Sequence, residues 1–187
     1  MALEVTPAQT VGPFFAFCLL DENVLVAPDA PGAIRVEGQV TDGEGVHVPD
    51  ALVEIWQPDP EGRFPSSPWG VRRSGPPPSA FPGFGRCGTD DGGWYRFVTL
   101  KPGRVPGPDG ALQAPHIAMI VQARGLLNRL VTRVYFPDEE EANAADPVLS
   151  AIEDRERAAT LVARPEEGIL RFDIRLQGEG ETCFFDV

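Results

Sequence analysis

Glycine and proline punctuate this chain from end to end, and their distribution is the strongest constraint on its fold. The sequence has 20 glycines and 20 prolines among 187 residues, and they recur along the whole length instead of pooling in one tail. Both residues are unfavourable inside helices and frequent in turns. The chain is therefore predicted to consist of many short elements joined by turns, which favours an all-β fold.

Segments between these turns alternate apolar and other residues with the period of two that is typical of strands. The turn cluster TDGEG separates the first two segments, and a hairpin is the natural interpretation. The ARG step at residues 123–125 predicts a turn between two further paired strands. The predicted strands lie at residues 34–40, 51–57, 94–100, 117–123 and 126–136 and in the first half of residues 169–187.

Two longer stretches depart from this pattern. Residues 58–93 have no sustained period and are rich in proline, glycine and serine, which predicts a long ordered loop or crossing connection. Residues 138–163 begin with acidic side chains and are expected to form short surface helices. Because no internal repeat or low-complexity tail divides the sequence, residues 1–187 are predicted to form a single domain.

The acidic composition argues against several classes of partner. With a net charge of −12 at pH 7, the chain repels nucleic acid and anionic membrane surfaces. No apolar run approaches the roughly 20 residues of a membrane span, and the N-terminus lacks the features of a signal peptide, so a cytoplasmic location is expected. Cys18, Cys87 and Cys183 are widely spaced, which predicts reduced thiols.

Residues able to bind a metal or act as a catalytic base are scarce. His47 and His116 are the two histidines; His47 is expected in an exposed turn, whereas His116 opens a predicted strand and is the better candidate. Without an H-x-H, H-x3-H or C-x2-C pattern, a self-contained zinc or iron site is not expected. No Gly-x-Ser-x-Gly turn indicates a serine nucleophile. The sequence thus predicts no catalytic residue and no metal site in this chain.

Arg133 stands inside the alternating segment TRVYF, where its charge needs a partner. An arginine on a strand often pairs with a nearby carboxylate of the same chain. The alternative is that the planar guanidinium holds the carboxylate of a ligand, a task that its geometry suits. The residues alone leave both interpretations open.

An apolar segment near the N-terminus must also be covered. Residues 6–20, TPAQTVGPFFAFCLL, carry Phe14, Phe15 and Phe17. The segment is either an arm that packs on its own domain or an arm that is buried against a partner chain.

Several stretches, in this order along the chain, resemble the protocatechuate 3,4-dioxygenase family of intradiol ring-cleaving enzymes. They are TPAQTVGPF, VEGQVTDGEG, ALVEIWQPDPEGRF, GTDDGGWYRFVTLKPG, APHIAMIVQARGLLNRLVTRVYF and LRFDIRLQGEGETCFFDV. The central stretches are typical of the whole family, whereas TxxQTxGPF and QGEGETxFFD resemble its alpha-type chains. The resemblance implies a β-sandwich core with long loops and a few short surface helices.

The resemblance also implies a catalytic partner, the beta chain, whose ferric ion is held by two tyrosines and two histidines. At the corresponding positions this chain has Phe64, Val105, His116 and Ala118, so three of the four ligands are replaced by apolar side chains. An arginine that precedes the first histidine in the family aligns with Gln113. No iron is therefore expected in this chain, which is expected to be inactive alone.

For alpha-type chains the resemblance implies a contribution to a substrate pocket shared with the beta chain. Carried over residue by residue, the substrate-binding positions are Thr10, Gly12, Pro13, Phe14 and Arg133. Glycine lets backbone approach a ligand, proline stiffens the arm, and the arginine offsets the charge of the protocatechuate carboxylate. Residues 1–20 would then be an arm packed on the partner, and the alpha–beta pair would repeat in a larger oligomer.

The assembled enzyme is expected to convert protocatechuate to 3-carboxy-cis,cis-muconate, and two other functions remain open. One is a stand-alone β-sandwich module that binds a ligand in a lost iron site, which predicts a chain that is soluble and monodisperse without a partner. The other is an active single-chain dioxygenase with an unusual site, which predicts iron and visible colour in the isolated chain.

Overall fold

A computed structural model describes residues 22–65, 79–107 and 109–186. Within these residues the chain forms nine strands and three short helices. The strands are β1 (Ala33–Thr41), β2 (Leu52–Trp56), β3 (Phe84–Gly88), β4 (Trp94–Leu100), β5 (His116–Gln122), β6 (Leu130–Tyr135), β7 (Arg164–Glu166), β8 (Ile169–Arg171) and β9 (Ile174–Arg175). The helices are α1 (Glu140–Ala144), α2 (Pro147–Ser150) and α3 (Arg155–Ala159).

The strands form two sheets. The first sheet has the order β4-β1-β8-β7, with β9 also paired to β1, and the second has the order β3-β2-β5-β6. Pairing is antiparallel throughout the second sheet and between β1 and β4, whereas β8 and β9 run parallel to β1. Two sheets with a few short helices confirm the prediction of an all-β sandwich.

An apolar layer between the sheets holds the sandwich together. It is built from inward-facing residues of both sheets, such as Val36 and Phe97 of the first and Ile55 and Met119 of the second, each at most 2% exposed. These residues alternate with outward-facing ones, because successive side chains of a strand point to opposite faces. Burial of each such side chain contributes roughly 1.5–3 kcal/mol.

The turn after β1 forms, but it does not join two strands of one sheet. Asp42 N donates to Val46 O at 2.9 Å and Val48 N donates to Val40 O at 3.0 Å, so the chain reverses at the TDGEG cluster. Nevertheless β1 pairs with β4, while β2 pairs with β3 and β5 in the other sheet. The predicted hairpin between the first two strands is therefore wrong, because the chain crosses between the sheets after the turn.

The sequence also predicts two other connections, a long loop over residues 58–93 and a turn at the ARG step. The long loop expected over residues 58–93 contains strand β3, which pairs with β2. The ARG turn between β5 and β6 is confirmed: Leu126 N donates to Ala123 O at 3.2 Å. Gly125 has a φ of +88°, a left-handed conformation that glycine adopts without strain.

Short helices cover one end of the outward face of the second sheet, within the predicted helical stretch of residues 138–163. Asp146 caps α2, since its Oδ1 accepts from Val148 N and Leu149 N at 2.9 Å each. Leu149 belongs to an apolar cluster with Tyr135 of β6. Among the described residues, no helix combines the length and the apolar character that crossing a membrane requires.

Candidate functional site

The outward face of the second sheet brings together the positions that the family resemblance singles out. Ala118 on β5 is in register with Trp56 on β2 and with Arg133 on β6. His116 precedes Ala118 by two residues and therefore points to the same face. Trp56, Ala118 and Arg133, with His116 beside them, are called the outer row below.

Phe64 contacts the outer row directly, and Val105 is linked to it through Gln113, which also bonds Arg133. The ring of Phe64 is stacked on that of Trp56, with centroids 5.8 Å apart and planes at 10°. Val105 is buried, and its carbonyl accepts a hydrogen bond from Gln113 N at 2.9 Å, just before β5 begins. The four positions that correspond to the family's iron ligands therefore lie around the outer row.

His116 has the proton arrangement of a histidine that could still bind a metal. Its Nδ1 lies 2.8 Å from Ala114 O, and because a carbonyl only accepts, Nδ1 carries the proton and Nε2 keeps its lone pair. Burial lowers the pKa of His116 and outweighs the opposing hydrogen bond to Ala114, and the Arg133 guanidinium adds to the lowering. The ring is therefore neutral at neutral pH.

Arg133 is a half-buried guanidinium held by neutral groups. Its Nη1 donates to Gln113 Oε1 at 2.6 Å and to Tyr135 OH at 3.3 Å, and the group lies 5.7 Å from the centroid of the Phe185 ring. Unlike the arginines in ion pairs elsewhere in the molecule, Arg133 has no carboxylate partner within the described part of the chain. The partners of Arg133 among the described residues are therefore neutral groups, Gln113 and Tyr135.

A buried carboxylate fixes this arrangement. Besides capping α2, Asp146 accepts from Ala114 N at 2.7 Å and from Tyr135 OH at 3.2 Å. Asp146 is 0% exposed, and a buried carboxylate is tolerated only when its oxygens are satisfied in this way. It ties β6, the segment before β5 and α2 together, so the fold holds Arg133 and His116 in place.

The residues around the outer row do not fit a ferric ion. Phe64, Val105 and Ala118 offer no oxygen, nitrogen or sulfur atom in their side chains. His116 would be left as a single ligand, and one imidazole does not hold a non-haem iron. Within residues 22–65, 79–107 and 109–186, no group of three histidine, cysteine, aspartate or glutamate side chains is arranged to hold a metal.

The two tyrosines do not replace the missing ligands. Burial raises the pKa of Tyr135 well above its ordinary value, and its oxygen is already bonded to Arg133 and Asp146. Tyr95 lies in the core between the sheets, where its hydroxyl donates to Phe172 O and burial again raises its pKa. Both phenols are therefore protonated and engaged, whereas an iron ligand must be a phenolate.

The predicted substrate-binding residues of the N-terminal arm lie outside the described residues: Thr10, Gly12, Pro13 and Phe14. Within the described residues the chain starts at Glu22, which forms an antiparallel bridge with Arg86 on β3. Of the predicted substrate-binding residues, Arg133 lies in the described part of the chain.

Two residues that shape the site have weak signals in the sequence. Asp146 sits in an acidic stretch, but the Asp-Pro pair at 146–147 is a signal for a capped helix with proline in its first turn. Trp56 is 43% exposed on the outer face. Its signal is the alternation that points it away from buried Ile55.

Comparison with known proteins identifies relatives of both the sequence and the fold. A family model described as "Dioxygenase" matches residues 21–178. The chain is 45% identical over 204 residues to the protocatechuate 3,4-dioxygenase alpha chain of Burkholderia cepacia. This alignment covers 99% of this chain and 98% of the relative. It is 35% identical over 158 residues to the protocatechuate 3,4-dioxygenase beta chain of Burkholderia cepacia, covering 80% of this chain and 66% of the relative.

Among solved structures, the dioxygenase domain of a dioxygenase and carbohydrate-binding protein fusion from Streptomyces sp. SirexAA-E is similar, with 25% identity and a TM-score of 0.57 over 94% of this chain and 99% of that one. The sandwich, the outer row and these matches define the class: the chain belongs to the intradiol ring-cleaving dioxygenase family. Within that family it is similar over nearly its whole length to alpha chains of protocatechuate 3,4-dioxygenase.

Proposed function

We propose that this chain is a non-catalytic alpha-type subunit of a protocatechuate 3,4-dioxygenase, and that a beta chain binds the ferric ion and carries out ring cleavage. The proposal rests on one observation: three of the four iron-ligand positions around the outer row are occupied by side chains without donor atoms, Phe64, Val105 and Ala118. Intradiol dioxygenases use ferric iron, so the ligands must come from another chain. Similarity to chains named alpha and beta supports such a pair.

The assembled enzyme cleaves protocatechuate between the two carbons that carry hydroxyl groups, and both atoms of dioxygen enter the product, 3-carboxy-cis,cis-muconate. This chain contributes binding to the pocket that the two chains share, through Thr10, Gly12, Pro13, Phe14 and Arg133. Support for the arginine is its unused hydrogen-bonding capacity. Within the described residues, Nε and Nη2 of Arg133 have no acceptor, and both can donate to a carboxylate.

The alpha–beta pair is obligate in this proposal and repeats in a larger closed oligomer in the cytoplasm. The apolar segment of residues 6–20 supports the pairing, because three phenylalanines on one short arm are costly to expose to water. Covering such an arm on the beta chain removes this cost. The acidic charge of the chain gives no support to nucleic acid or an anionic membrane as a further partner.

Co-expression with a beta chain tests the pairing. The proposal predicts that the two chains co-purify in equal amounts and that the pair, but not this chain alone, takes up oxygen in the presence of protocatechuate. A chain that stays monodisperse alone and does not bind the beta chain would instead support a stand-alone ligand-binding module.

Arginine substitutions in the active pair test the pocket contribution. Arg133→Gln is expected to raise the KM for protocatechuate by about tenfold or more with a smaller change in kcat, because a charge-assisted hydrogen bond is lost. Arg96→Gln is the control, since the side chain of Arg96 is 61% exposed on the other sheet. The β5–β6 hairpin also carries Arg124 and Arg129. If KM responds to one of these and not to Arg133, the carboxylate site lies at the hairpin turn.

A further inference from the structure

One side of the sandwich is crossed by residues that precede β1. In the sheet orders, β3 is an end strand of the second sheet and β4 is an end strand of the first, and the two strands lie next to each other. An end strand has backbone N–H and C=O groups that no neighbouring strand of its own sheet bonds. Residues 22–25, called the strap below, lie across both of these edges.

The strap bonds the backbone of one residue on each edge. On β3, Glu22 N donates to Arg86 O at 2.8 Å and Arg86 N donates to Glu22 O at 3.1 Å. On β4, Leu25 N donates to Val98 O at 2.8 Å and Val98 N donates to Asn23 O at 2.9 Å. These backbone hydrogen bonds link an edge of the second sheet to an edge of the first.

A side chain of the strap extends the contact along β4. Asn23 Nδ2 donates to Arg96 O at 3.1 Å, two residues before Val98. Further along the same edge, the turn between β3 and β4 bonds Trp94: Asp90 Oδ1 accepts from Trp94 N and Asp90 N donates to Trp94 O, each at 3.0 Å. The strap therefore covers a part of the β4 edge that this turn does not reach.

Leu25 anchors the strap in the core. Its side chain is half-buried and packs against the apolar layer between the sheets. Gly85 on β3 leaves room for it, since a Cβ at position 85 would lie 2.8 Å from Leu25 Cδ1 and 3.2 Å from Glu22 O. Val24, in contrast, is 57% exposed. A segment with so little burial is of the kind that opens locally while the rest of a protein stays folded.

We propose that the strap is a conformational device: it detaches from β3 and β4 while the sandwich stays folded, and the edges that it uncovers then pair with a second copy of this chain. An uncovered edge is a template for pairing with another chain, and β4 is a strand of 7 residues without proline. Binding of the beta chain holds the strap closed. This last part rests on the proposed function, which packs residues 1–20, just before the strap, on the beta chain.

Amide hydrogen exchange of the full-length chain, alone and in complex with a beta chain, tests the opening. In the isolated chain the protection factors of Leu25 and Val98 are expected to be at least about tenfold lower than those of β5, which is paired on both sides. The beta chain is expected to raise them by about tenfold. Equal protection of the strap and β5 overturns the local opening, and protection unchanged by the beta chain overturns the coupling.

Neighbouring substitutions in the isolated chain test the edge pairing. Leu25→Asp places a charge against the apolar layer and displaces the strap, whereas Val24→Asp adds the same charge at an exposed position and is the control. Sedimentation velocity is expected to show at least about threefold more dimer and larger species for Leu25→Asp, and no change for Val24→Asp. Near-UV circular dichroism like that of the unsubstituted chain identifies the folded variants.

A second substitution separates strand pairing from non-specific association. Val98 N donates to the strap, so Val98→Pro removes a donor from the uncovered edge. Leu25→Asp combined with Val98→Pro is expected to sediment like the control. Association that persists in the folded double variant, or a folded Leu25→Asp chain that does not associate, overturns the inference. If Leu25→Asp does not fold, Asn23→Ala, which loses the bond to Arg96 O, takes its place, and unchanged protection of Val98 then overturns the inference.

Failure of the proposed function gives a different result. It would show as a chain that does not co-purify with a beta chain, or as a complex without oxygen uptake, and the exchange and sedimentation of the isolated chain would still decide the opening and the edge pairing. An active complex in which the protection of Leu25 and Val98 matches that of the isolated chain would overturn the coupling while the subunit role stands.

Discussion

The two faces of the second sheet are made by the same strands, yet they differ in what selects their side chains. The inward face is apolar, with Ile55, Met119 and Val134 at most 2% exposed. The outward face carries Trp56 and Arg133 directly beside these residues in sequence. Burial in the sandwich dictates the first set, whereas the second set is free to vary with function.

The comparison shows that the fold of the family is kept although three of the positions that the resemblance assigns to iron ligands carry apolar side chains. Phe64, Val105 and Ala118 remove donor atoms around the outward face, while the register between β5 and β6 runs unbroken from His116 to Val121. In the proposed function, stability resides mainly between the sheets and binding on the outer row. Substitutions on opposite faces of one strand are therefore expected to have separate effects.

The largest contrast is expected between neighbours on β5. Met119 is 0% exposed, and Met119→Ala is expected to lower the free energy of unfolding by about 3 kcal/mol through lost burial and a cavity. Ile120 faces outward and is half-buried, so Ile120→Ala is expected to cost under about 1 kcal/mol. Urea denaturation measures both, and equal losses would break the distinction between the faces.

The next contrast is between two aspartates that cap helices. Asp146 is buried and also bonds Ala114 N and Tyr135 OH, so Asp146→Ala is expected to cost roughly 2–3 kcal/mol because buried donors lose their acceptor. Asp154 is exposed and caps α3 alone, and Asp154→Ala is expected to cost about 1 kcal/mol. If the two variants unfold at the same urea concentration, Asp146 does not anchor the site.

An ion pair on the outward face gives a smaller effect. Arg86 donates from Nε at 2.8 Å and from Nη2 to one oxygen of Glu54, and the two side chains are 23% and 16% exposed. A double-mutant cycle with alanine is expected to give a coupling of about 1 kcal/mol or less. The exposed pair Arg96–Asp90, at 3.6 Å, is the control and is expected to show no coupling. Equal couplings would mean that half-burial does not strengthen the first pair.

The smallest effect concerns the protonation of His116. Because its pKa is lowered by burial, the unfolded chain binds a proton more readily, and the free energy of unfolding falls as the pH drops below the ordinary value of 6.5. Above that pH the contribution is complete. His116→Asn is expected to flatten the dependence of Tm on pH in this range. A slope that is unchanged by the substitution would contradict the assignment.

Much of this architecture can be predicted, because apolar and polar residues alternate along a strand that is buried on one face. β1, β2, β4 and β5 are visible in the sequence, since their inward residues are apolar and many of their outward residues are polar. β3 is hidden, because Gly85 takes an inward position: a Cβ there would lie 2.8 Å from Leu25 Cδ1. The pairing of β1 with β4 instead of β2 is a long-range choice that no local pattern encodes.

The candidate site can also be predicted only in part. The family resemblance identifies positions 64, 105 and 118 as ligand positions, and the sequence shows that each carries an apolar residue. The neutral surroundings of Arg133 do not follow, since they depend on Gln113 and Tyr135 meeting its guanidinium in space. The exposure of Trp56 next to Ala118 likewise depends on the register between β2 and β5.

Iron content tests the central claim most directly. The isolated chain and its complex with a beta chain are purified in parallel, and metal analysis is combined with visible absorbance. The account predicts a colourless, iron-free chain, because three of its four ligand positions lack donor atoms, and a complex with the wine-red colour of a ferric phenolate. A red isolated chain with stoichiometric iron would contradict the account.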